Sequence, residues 1–208
     1  MIKRISNISW ARTLVSLFYI KGVRHACISP GSRNTPLTYA LLEHSGITCF
    51  SYTDERSSCF FGLGISKRTK QPVVILTTSG TATANLFPGV IEAELSMTPL
   101  IIVTADRPKR LINTGATQTI NQKKIYGKHV RTSIDIKSTI VCSNKFLKKL
   151  SKIFDQSLGL EKPPGPVHFN VRFDEPLLDK DDKPILLPKN TSYPLIKSEK
   201  IKLEKFKR

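Results

Sequence analysis

The stretch "PVVILTT" (72–78) decides the fold. It is a continuous run of mostly β-branched and other apolar residues, which is typical of a strand that is buried on both faces of a parallel sheet. A second run of this kind, "PLIIVTA", occupies residues 99–105. Between the two runs, "SGTATAN" (79–85) predicts a turn that leads into a helix extending to about Leu95. These segments together predict one strand–helix–strand unit.

Strands and helices alternate on both sides of this unit. Upstream, an amphipathic helix contains the apolar residues 13–20 and is closed by Gly22. The remaining predicted elements are strands at 23–29, 47–52 and 129–136, helices at 37–46 and 54–68, a lysine-faced helix, and a last strand within 163–171. This alternation predicts an α/β fold, in which a parallel sheet is flanked by helices on both faces.

The charge is strongly positive. The 208 residues include 33 Lys and Arg against 16 Asp and Glu, a net charge of +17, so nucleic acid and anionic substrates are the first partners to consider. The lysine-faced helix, however, has the pattern of an ordinary solvated surface helix, with its lysines on one face at Lys145, Lys148, Lys149 and Lys152. No zinc-finger spacing or aromatic–glycine RNA-binding signature is present. We therefore expect no nucleic-acid partner.

The cysteine, histidine and apolar patterns narrow the class of protein and its compartment. The four cysteines form no C-x-x-C pair and we expect no signal peptide before them, which predicts reduced, mostly buried thiols. We expect a cytoplasmic protein, or one of the plastid stroma if its gene is plastid-borne. The four histidines are too widely separated to indicate a metal site, and residues 13–20 are too few to span a membrane.

Polar residues gather in the loops that follow the predicted strands. In a parallel sheet, ligands bind where the carboxyl ends of the strands meet their loops. Loops 29–36, 78–85 and 104–122 occupy such positions, and the acids Asp54 and Glu55 make a fourth. These four segments are the candidate site.

Asp54 and Glu55 stand at the start of a helix whose apolar residues Phe60, Phe61, Leu63 and Ile65 are expected to be buried. The two acids allow two interpretations. Acids there cap a helix and interact favourably with its dipole. Alternatively, one carboxylate faces an apolar pocket and acts as a proton-transfer partner with a raised pKa. Spacing alone favours the cap.

The other loops also leave alternatives open. The small residues of loop 78–85 indicate either a loop that lets a ligand approach the backbone closely or only a tight turn. The loop lacks the G-x-x-x-x-G-K-[ST] phosphate motif. Arg33 and Arg107 each follow a strand, which indicates either a carboxylate-bearing substrate or structural ion pairs, for instance to Asp54 or Asp106.

Five segments, taken jointly and in order, carry a resemblance to a known family. They are "ISPGSRNTPL", "DERSSCFFGLGISK", "TTSGTATANLFPGVIEA", "TADRPKRLINTGATQTINQ" and "GPVHFNVRFDEPL". Over residues 8–178 the sequence resembles the N-terminal part of 2-succinyl-5-enolpyruvyl-6-hydroxy-3-cyclohexene-1-carboxylate (SEPHCHC) synthases, thiamine-diphosphate enzymes of menaquinone and phylloquinone biosynthesis. The resemblance implies a pyrimidine-binding domain, an α/β fold.

The resemblance also implies roles for individual residues. Glu55 would hydrogen-bond N1′ of the aminopyrimidine and so promote its imino tautomer, while Asp54 would be the structural cap. Thr78, Gly80 and Asn85 would lie near the pyrimidine ring. The residues lining the isochorismate pocket would be Ser32, Arg33, Arg107 and Gln118.

The implied reaction is a transfer in which 2-oxoglutarate loses CO2 and its succinyl part adds to isochorismate, with thiamine diphosphate and Mg2+ as cofactors. Another thiamine-diphosphate carboligase, such as an acetolactate synthase, is the enzymatic alternative. A non-catalytic remnant or binding module that keeps the fold is the alternative of a different class. The complete enzyme would be a homo-oligomer, a dimer or tetramer, without a membrane span.

One departure from the family pattern concerns the diphosphate and its metal. The family holds both through a second domain with a Gly-Asp-Gly motif, and this sequence has no such motif. We expect residues 1–180 to form the pyrimidine-binding domain and 181–208 to be a linker or the start of a missing middle domain. The chain would then contain no metal ligand and only half an active site, and it would neither bind the magnesium–cofactor complex tightly nor turn over alone.

Overall fold

A computed structural model describes residues 6–138 and 143–178 of the protein. Its centre is a sheet of six parallel strands in the order β2-β1-β3-β4-β6-β5. The strands are β1 (His25–Ile28), β2 (Thr48–Ser51), β3 (Val73–Thr77), β4 (Leu100–Asp106), β5 (Ser133–Lys137) and β6 (Val167–Arg172). The predicted α/β class is confirmed.

Helices cover both faces of the sheet. They are α1 (Asn7–Ile20), α2 (Thr35–Glu43), α3 (Glu55–Thr69), α4 (Thr81–Asn85), α5 (Phe87–Leu95) and α6 (Asn144–Ser157). Short 3-10 helices occupy Ser32–Asn34, Lys109–Leu111 and Gly127–His129. Buried side chains of α1, α2 and α6 form one core with the sheet, and those of α3 and α5 form the other. None of the helices in the described part of the chain combines the length and apolar character that crossing a membrane requires.

The two central strands have the burial that their sequences predict. Every residue of β3 and β4 is buried. Successive side chains alternate between the two cores: Val74 and Leu76 belong to the first, and Val73 and Ile75 to the second. Because β3 pairs in register with β1 and β4, the loops that follow these three strands emerge at one edge of the sheet.

Side chains cap the starts of two helices, and a glycine closes the end of a third. Asp54 caps α3, its Oδ1 accepting a hydrogen bond from the Ser57 N–H at 2.7 Å. Ser143 caps α6 in the same way. Gly22 closes α1 with a φ of +102°, a conformation that suits glycine. The lysines of α6 are exposed and its Leu150, Ile153 and Phe154 are buried, as predicted.

Four details differ from the prediction. Helix α2 runs from Thr35 to Glu43 and not from 37 to 46, because Pro36 is well suited to a first helical turn. The helix expected to reach Leu95 without interruption is broken at Leu86, since Pro88 has no N–H to continue it. Strand β5 begins at Ser133, after the 3-10 turn at Gly127–His129. Phe60, expected to be buried, is 42% exposed.

The cysteine prediction is confirmed for the three that the structure describes. Cys27 and Cys59 are buried, Cys49 is half-buried, and all three are free thiols. Burial raises the pKa of Cys27 and Cys59 to about 12 and that of Cys49 to about 11, so they are protonated at neutral pH. Cys142 lies outside the described residues.

A polar seam crosses the otherwise apolar sheet between β4 and β6. Thr104 Oγ1 donates to Asn170 Oδ1 at 2.8 Å, so it must accept from His168 Nε2, which also lies at 2.8 Å. The neutral His168 ring therefore carries its proton on Nε2, and its Nδ1 accepts from the Ser133 hydroxyl at 3.1 Å. Burial lowers the pKa of His168 to about 3.

His168 should make stability pH-dependent. Its pKa is about 3 in the folded chain and about 6.5 when unfolded, so between these values the unfolded state binds more protons. The free energy of unfolding should therefore fall as the pH is lowered from about 7.5 to about 4.5, by an amount on the order of 2 kcal/mol from this residue. Urea unfolding of wild type and H168Q measures it: the variant should lose less stability on acidification, and an equal loss would contradict the assignment.

Two glycines of α3 offer a matched test of packing. A Cβ at Gly62 would overlap Ile75 Cδ1 in the core, whereas a Cβ at Gly64 meets nothing. We expect G62A to lower the free energy of unfolding by about 1–2 kcal/mol, because overpacking against Ile75 outweighs the gain that alanine brings to a helix. G64A should raise it by up to about 1 kcal/mol, because alanine favours helix. Urea unfolding of both variants provides the comparison, and a shift of the same sign in both would show that α3 does not pack as described.

Candidate active site

The loops after β1 and β3 are packed directly against each other. The Ser29 N–H donates to the Leu76 carbonyl at 2.9 Å, and Asn34 Nδ2 donates to the Ser29 carbonyl at 2.8 Å. A Cβ at Gly31 would lie only 2.5 Å from Thr78 Cβ, so glycine is needed for this approach. The loop that carries Ser32 and Arg33 is therefore held beside the loop that begins at Thr78.

The side-chain amide of Gln122 joins the loops after β3 and β4. Its Oε1 accepts a hydrogen bond from the Gly80 N–H at 2.8 Å. Its Nε2 donates to the Ala105 carbonyl at 3.2 Å and to Asn170 Oδ1 at 2.9 Å. The whole side chain is buried. Gln122 therefore connects the turn at Gly80 to the polar seam of the sheet.

Gly80 is constrained on its other side as well. Its φ is +83°, and an added Cβ would lie 3.0 Å from the carbonyl oxygen of Gln118. The glycine thus allows the two loops to touch along their backbones. Sequence reasoning selected Gly80 and Gln118 but missed Gln122, although the pair "NQ" (121–122) was part of the matched segment.

Arg107 is held among these loops by hydrogen bonds and not by an ion pair to Asp106. Its Nη1 donates to Ser79 Oγ and, at 2.8 Å, to the Gln118 carbonyl. Its Nη2 lies 3.5 Å from Gln118 Oε1. Burial, and then the charge of Arg33, lowers the pKa of Arg107. The structure therefore brings Arg107, Gln118 and Arg33 into one electropositive group.

Arg33 lies at the edge of this group. Its Nη1 contacts Glu175 Oε1 at 3.0 Å and the Phe173 carbonyl at 3.3 Å. Neighbouring Ser32 is exposed on its short 3-10 helix. Arg33 therefore makes a structural ion pair, as one alternative predicted, but its partner is Glu175 and not Asp54 or Asp106.

The two acids named as alternative partners are engaged elsewhere. Asp106 pairs with Arg172 at 2.9 Å, where burial raises its pKa and a hydrogen bond from Asn170 opposes the rise. Asp54 is exposed and caps α3, and the hydrogen bond from the Ser57 N–H lowers its pKa. Each acid therefore has a structural explanation.

Glu55 is placed differently from Asp54. It is the first residue of α3, is half-buried, and accepts a hydrogen bond from Asn85 Nδ2 on its Oε2 at 3.0 Å. Its Oε1 makes no hydrogen bond among the described residues. Beside it is an open pocket of about 370 Å³ lined by Asp54, Arg56, Ala84, Asn85 and Pro88. Glu55 thus has one oxygen fixed and one available to a donor.

The candidate residues therefore form two groups along one edge. Glu55 and Asn85 make the first, and Thr78, Gly80, Arg107 and Gln118 make the second with Arg33 nearby. In the described ranges, no hydrogen bond or ion pair joins Glu55 to either arginine. The short helix α4 connects the groups, since Gly80 precedes it and Asn85 ends it.

The side chains around Glu55 suit the pyrimidine half of thiamine diphosphate. A carboxylate whose Oε1 is available suits a ring N–H, and Ala84 and Pro88 are the apolar residues in the mostly polar lining of the neighbouring pocket. For the metal, residues 6–138 and 143–178 contain no group of three or more His, Cys, Asp or Glu side chains that could hold an ion. The described part of the chain thus offers the Glu55 carboxylate as a hydrogen-bond partner for the ring.

The chain is similar to proteins of one known family. Residues 9–125 match the family model described as thiamine pyrophosphate enzyme, N-terminal TPP binding domain. Three similar relatives carry the name SEPHCHC synthase. The one from Halobacterium salinarum is 46% identical over 173 residues, 82% of this chain and 30% of the relative. The one from Haloarcula marismortui is 47% identical over 174 residues, 82% of this chain and 29% of the relative.

The third, from Lysinibacillus sphaericus, is 41% identical over 197 residues, 92% of this chain and 34% of the relative. The chain therefore spans about a third of the length of the curated relatives it matches.

Gln122 yields a prediction about the site's framework. Q122M keeps the side-chain length but leaves the Gly80 N–H without its buried acceptor, and Asn170 Oδ1 keeps only the hydrogen bond from Thr104. We expect the free energy of unfolding to fall by about 1–3 kcal/mol. The control Q71M, at an exposed glutamine, should change it by less than about 0.5 kcal/mol. Urea unfolding measures both, and equal values would mean that Gln122 does not secure the loops.

Proposed function

This chain belongs to the thiamine pyrophosphate enzyme family, as its N-terminal TPP-binding domain, and we propose that it supplies the pyrimidine-binding half of a SEPHCHC synthase active site. The observation that carries the proposal is the carboxylate of Glu55. It stands at a helix start, is oriented by Asn85, and keeps Oε1 available for a ring nitrogen. The relatives' shared name supports the choice of synthase.

Glu55 would accept a hydrogen bond from N1′ of the cofactor's pyrimidine ring and hold the proton there. Such charge-assisted hydrogen bonds are short and strong, which suits a group that must stabilise one tautomer. When bound, thiamine diphosphate supplies the carbon nucleophile and the electron sink for decarboxylation of a 2-oxo acid. Thr78, Gly80 and Asn85 would shape the wall beside the ring.

The arginine group would bind the carboxylates of isochorismate. Arg33 and Arg107 supply two positive charges in a partly buried setting, where charge-assisted hydrogen bonds to a carboxylate are stronger than in water. Gln118 and Ser32 would add polar contacts at the rim. The donor substrate in this proposal is 2-oxoglutarate, and the enzyme is accordingly a transferase of menaquinone or phylloquinone biosynthesis.

The rest of the active site would come from another domain. Residues 1–180 would form the pyrimidine-binding domain, and 181–208, which lie outside the described residues, would form a linker or the start of a middle domain. The diphosphate and Mg2+ would be held by a domain with a Gly-Asp-Gly motif, contributed by another subunit of a homo-oligomer. By itself the chain would bind the magnesium–cofactor complex weakly and would not turn over.

The neighbouring acids Asp54 and Glu55 provide the test. In the assembled synthase, E55Q is isosteric and can still accept from Asn85, so the thermal midpoint should stay near wild type. Its kcat should fall by at least about 100-fold, because a proton-transfer partner is lost. D54A removes the α3 cap and should lower the thermal midpoint, while its kcat should fall far less than that of E55Q.

Steady-state kinetics and calorimetry measure the two effects. If E55Q kept activity within a few fold of wild type, the proton-holding role would be wrong. If D54A lost activity as E55Q did, the division of roles between the two acids would be wrong.

A further inference from the structure

Glu175 follows the last strand and lies against an arginine of the candidate site, although the sequence motifs assign it no role. Its Oε1 is 3.0 Å from Arg33 Nη1. The exposures of the two side chains differ sharply: that of Arg33 is 13% exposed and that of Glu175 is 61% exposed. A nearly buried cation is therefore paired with a carboxylate that is free to turn into water.

The backbone on both sides of Glu175 is held in place. Asn7 Nδ2 donates to the carbonyls of Asp174 at 2.7 Å and Pro176 at 2.8 Å. The Asp174 carboxylate also accepts from Arg110 Nη2 at 2.8 Å. Because these contacts involve the neighbours and not Glu175, its side chain can leave Arg33 while the segment stays where it is.

The pairing leaves Arg33 incompletely satisfied. Only one guanidinium nitrogen contacts Glu175, and Arg33 Nε is buried without a hydrogen-bond partner in the described part of the chain. The charge of Glu175 also reaches Arg107, whose positive form it favours against the repulsion from Arg33. One exposed carboxylate thus interacts electrostatically with two arginines. It contacts Arg33 through a single pair of atoms, and a bidentate contact would be stronger.

We propose that Glu175 occupies the position of a ligand carboxylate at Arg33 and is displaced when a carboxylate-bearing substrate binds. The inference rests on the proposed role of Arg33 and Arg107 in binding isochorismate. The exchange replaces one anion with another, so the buried guanidinium keeps a counter-charge throughout. A neutral ligand offers no such replacement, and Glu175 therefore selects for ligands that carry a carboxylate.

The alternative is that Glu175 merely orients Arg33 and so strengthens the binding of a carboxylate. Removing it would then weaken carboxylate binding, because the guanidinium would lose its position. Displacement predicts tighter binding instead, because the competitor is gone. Exposed ion pairs contribute little, so the expected gain is about two- to fivefold in affinity. The direction of the change therefore separates the two roles.

The experiment is a calorimetric titration of the assembled synthase with isochorismate in the absence of 2-oxoglutarate, so that binding is measured without turnover. E175Q should bind about two- to fivefold more tightly than wild type. E161Q is the matched control: it makes the same change in net charge at another exposed ion pair, with Lys152, and should bind like wild type. A neutral dimethyl ester of isochorismate should bind wild type more weakly than the free acid does.

R107A distinguishes failure of this inference from failure of the proposed function. If wild type binds, R107A binds weakly and E175Q is no tighter than wild type, Glu175 is not a competitor and the inference is overturned. If wild type and R107A show the same affinity, or neither binds, the arginine pocket itself is wrong and the inference is overturned with it.

Discussion

The buried amide of Gln122 is the contact on which the candidate site depends. It satisfies the Gly80 N–H on one loop, and on its other side it is held by the Ala105 carbonyl of β4 and by Asn170 of β6. A buried amide whose donors and acceptor are paired in this way permits one arrangement of its neighbours, because any other would leave polar groups unsatisfied. The position of Gly80 in turn determines where α4 begins and where Asn85 lies.

Two carboxylates adjacent in sequence have distinct physical surroundings. Asp54 is turned back onto the Ser57 N–H of its own helix, which it caps. Glu55 is one residue further along, so it points elsewhere and meets Asn85 from a different helix. A single helix start therefore provides both the cap that stabilises α3 and the carboxylate proposed to act on the cofactor. The arginine group is separate from this helix start, as the proposed binding of a substrate beside the cofactor requires.

Much of the fold could be predicted because its signals are local. The buried runs of β3 and β4, the Asp54 cap and the lysine face of α6 each depend on a few consecutive residues. The break at Pro88 was also available from the sequence, but the helical pattern around it obscured it.

Gln122 and Glu175 could not be recognised in this way. Their partners are distant in sequence, and a glutamine or glutamate in a polar loop has no pattern that reveals which backbone it will meet. The exposure of Phe60 could not be predicted either, since an apolar residue in an apolar helix need not face the core. Roles taken from the family resemblance, such as that of Glu55, came from matched motifs and not from spacing.

The most direct test of the central claim is a crystal structure of the assembled synthase with thiamine diphosphate bound. The account predicts that Glu55 Oε1 lies within about 3 Å of N1′ of the pyrimidine ring, with Oε2 still on Asn85. A ring bound with N1′ facing water or another side chain, and Glu55 out of hydrogen-bond reach, would contradict it.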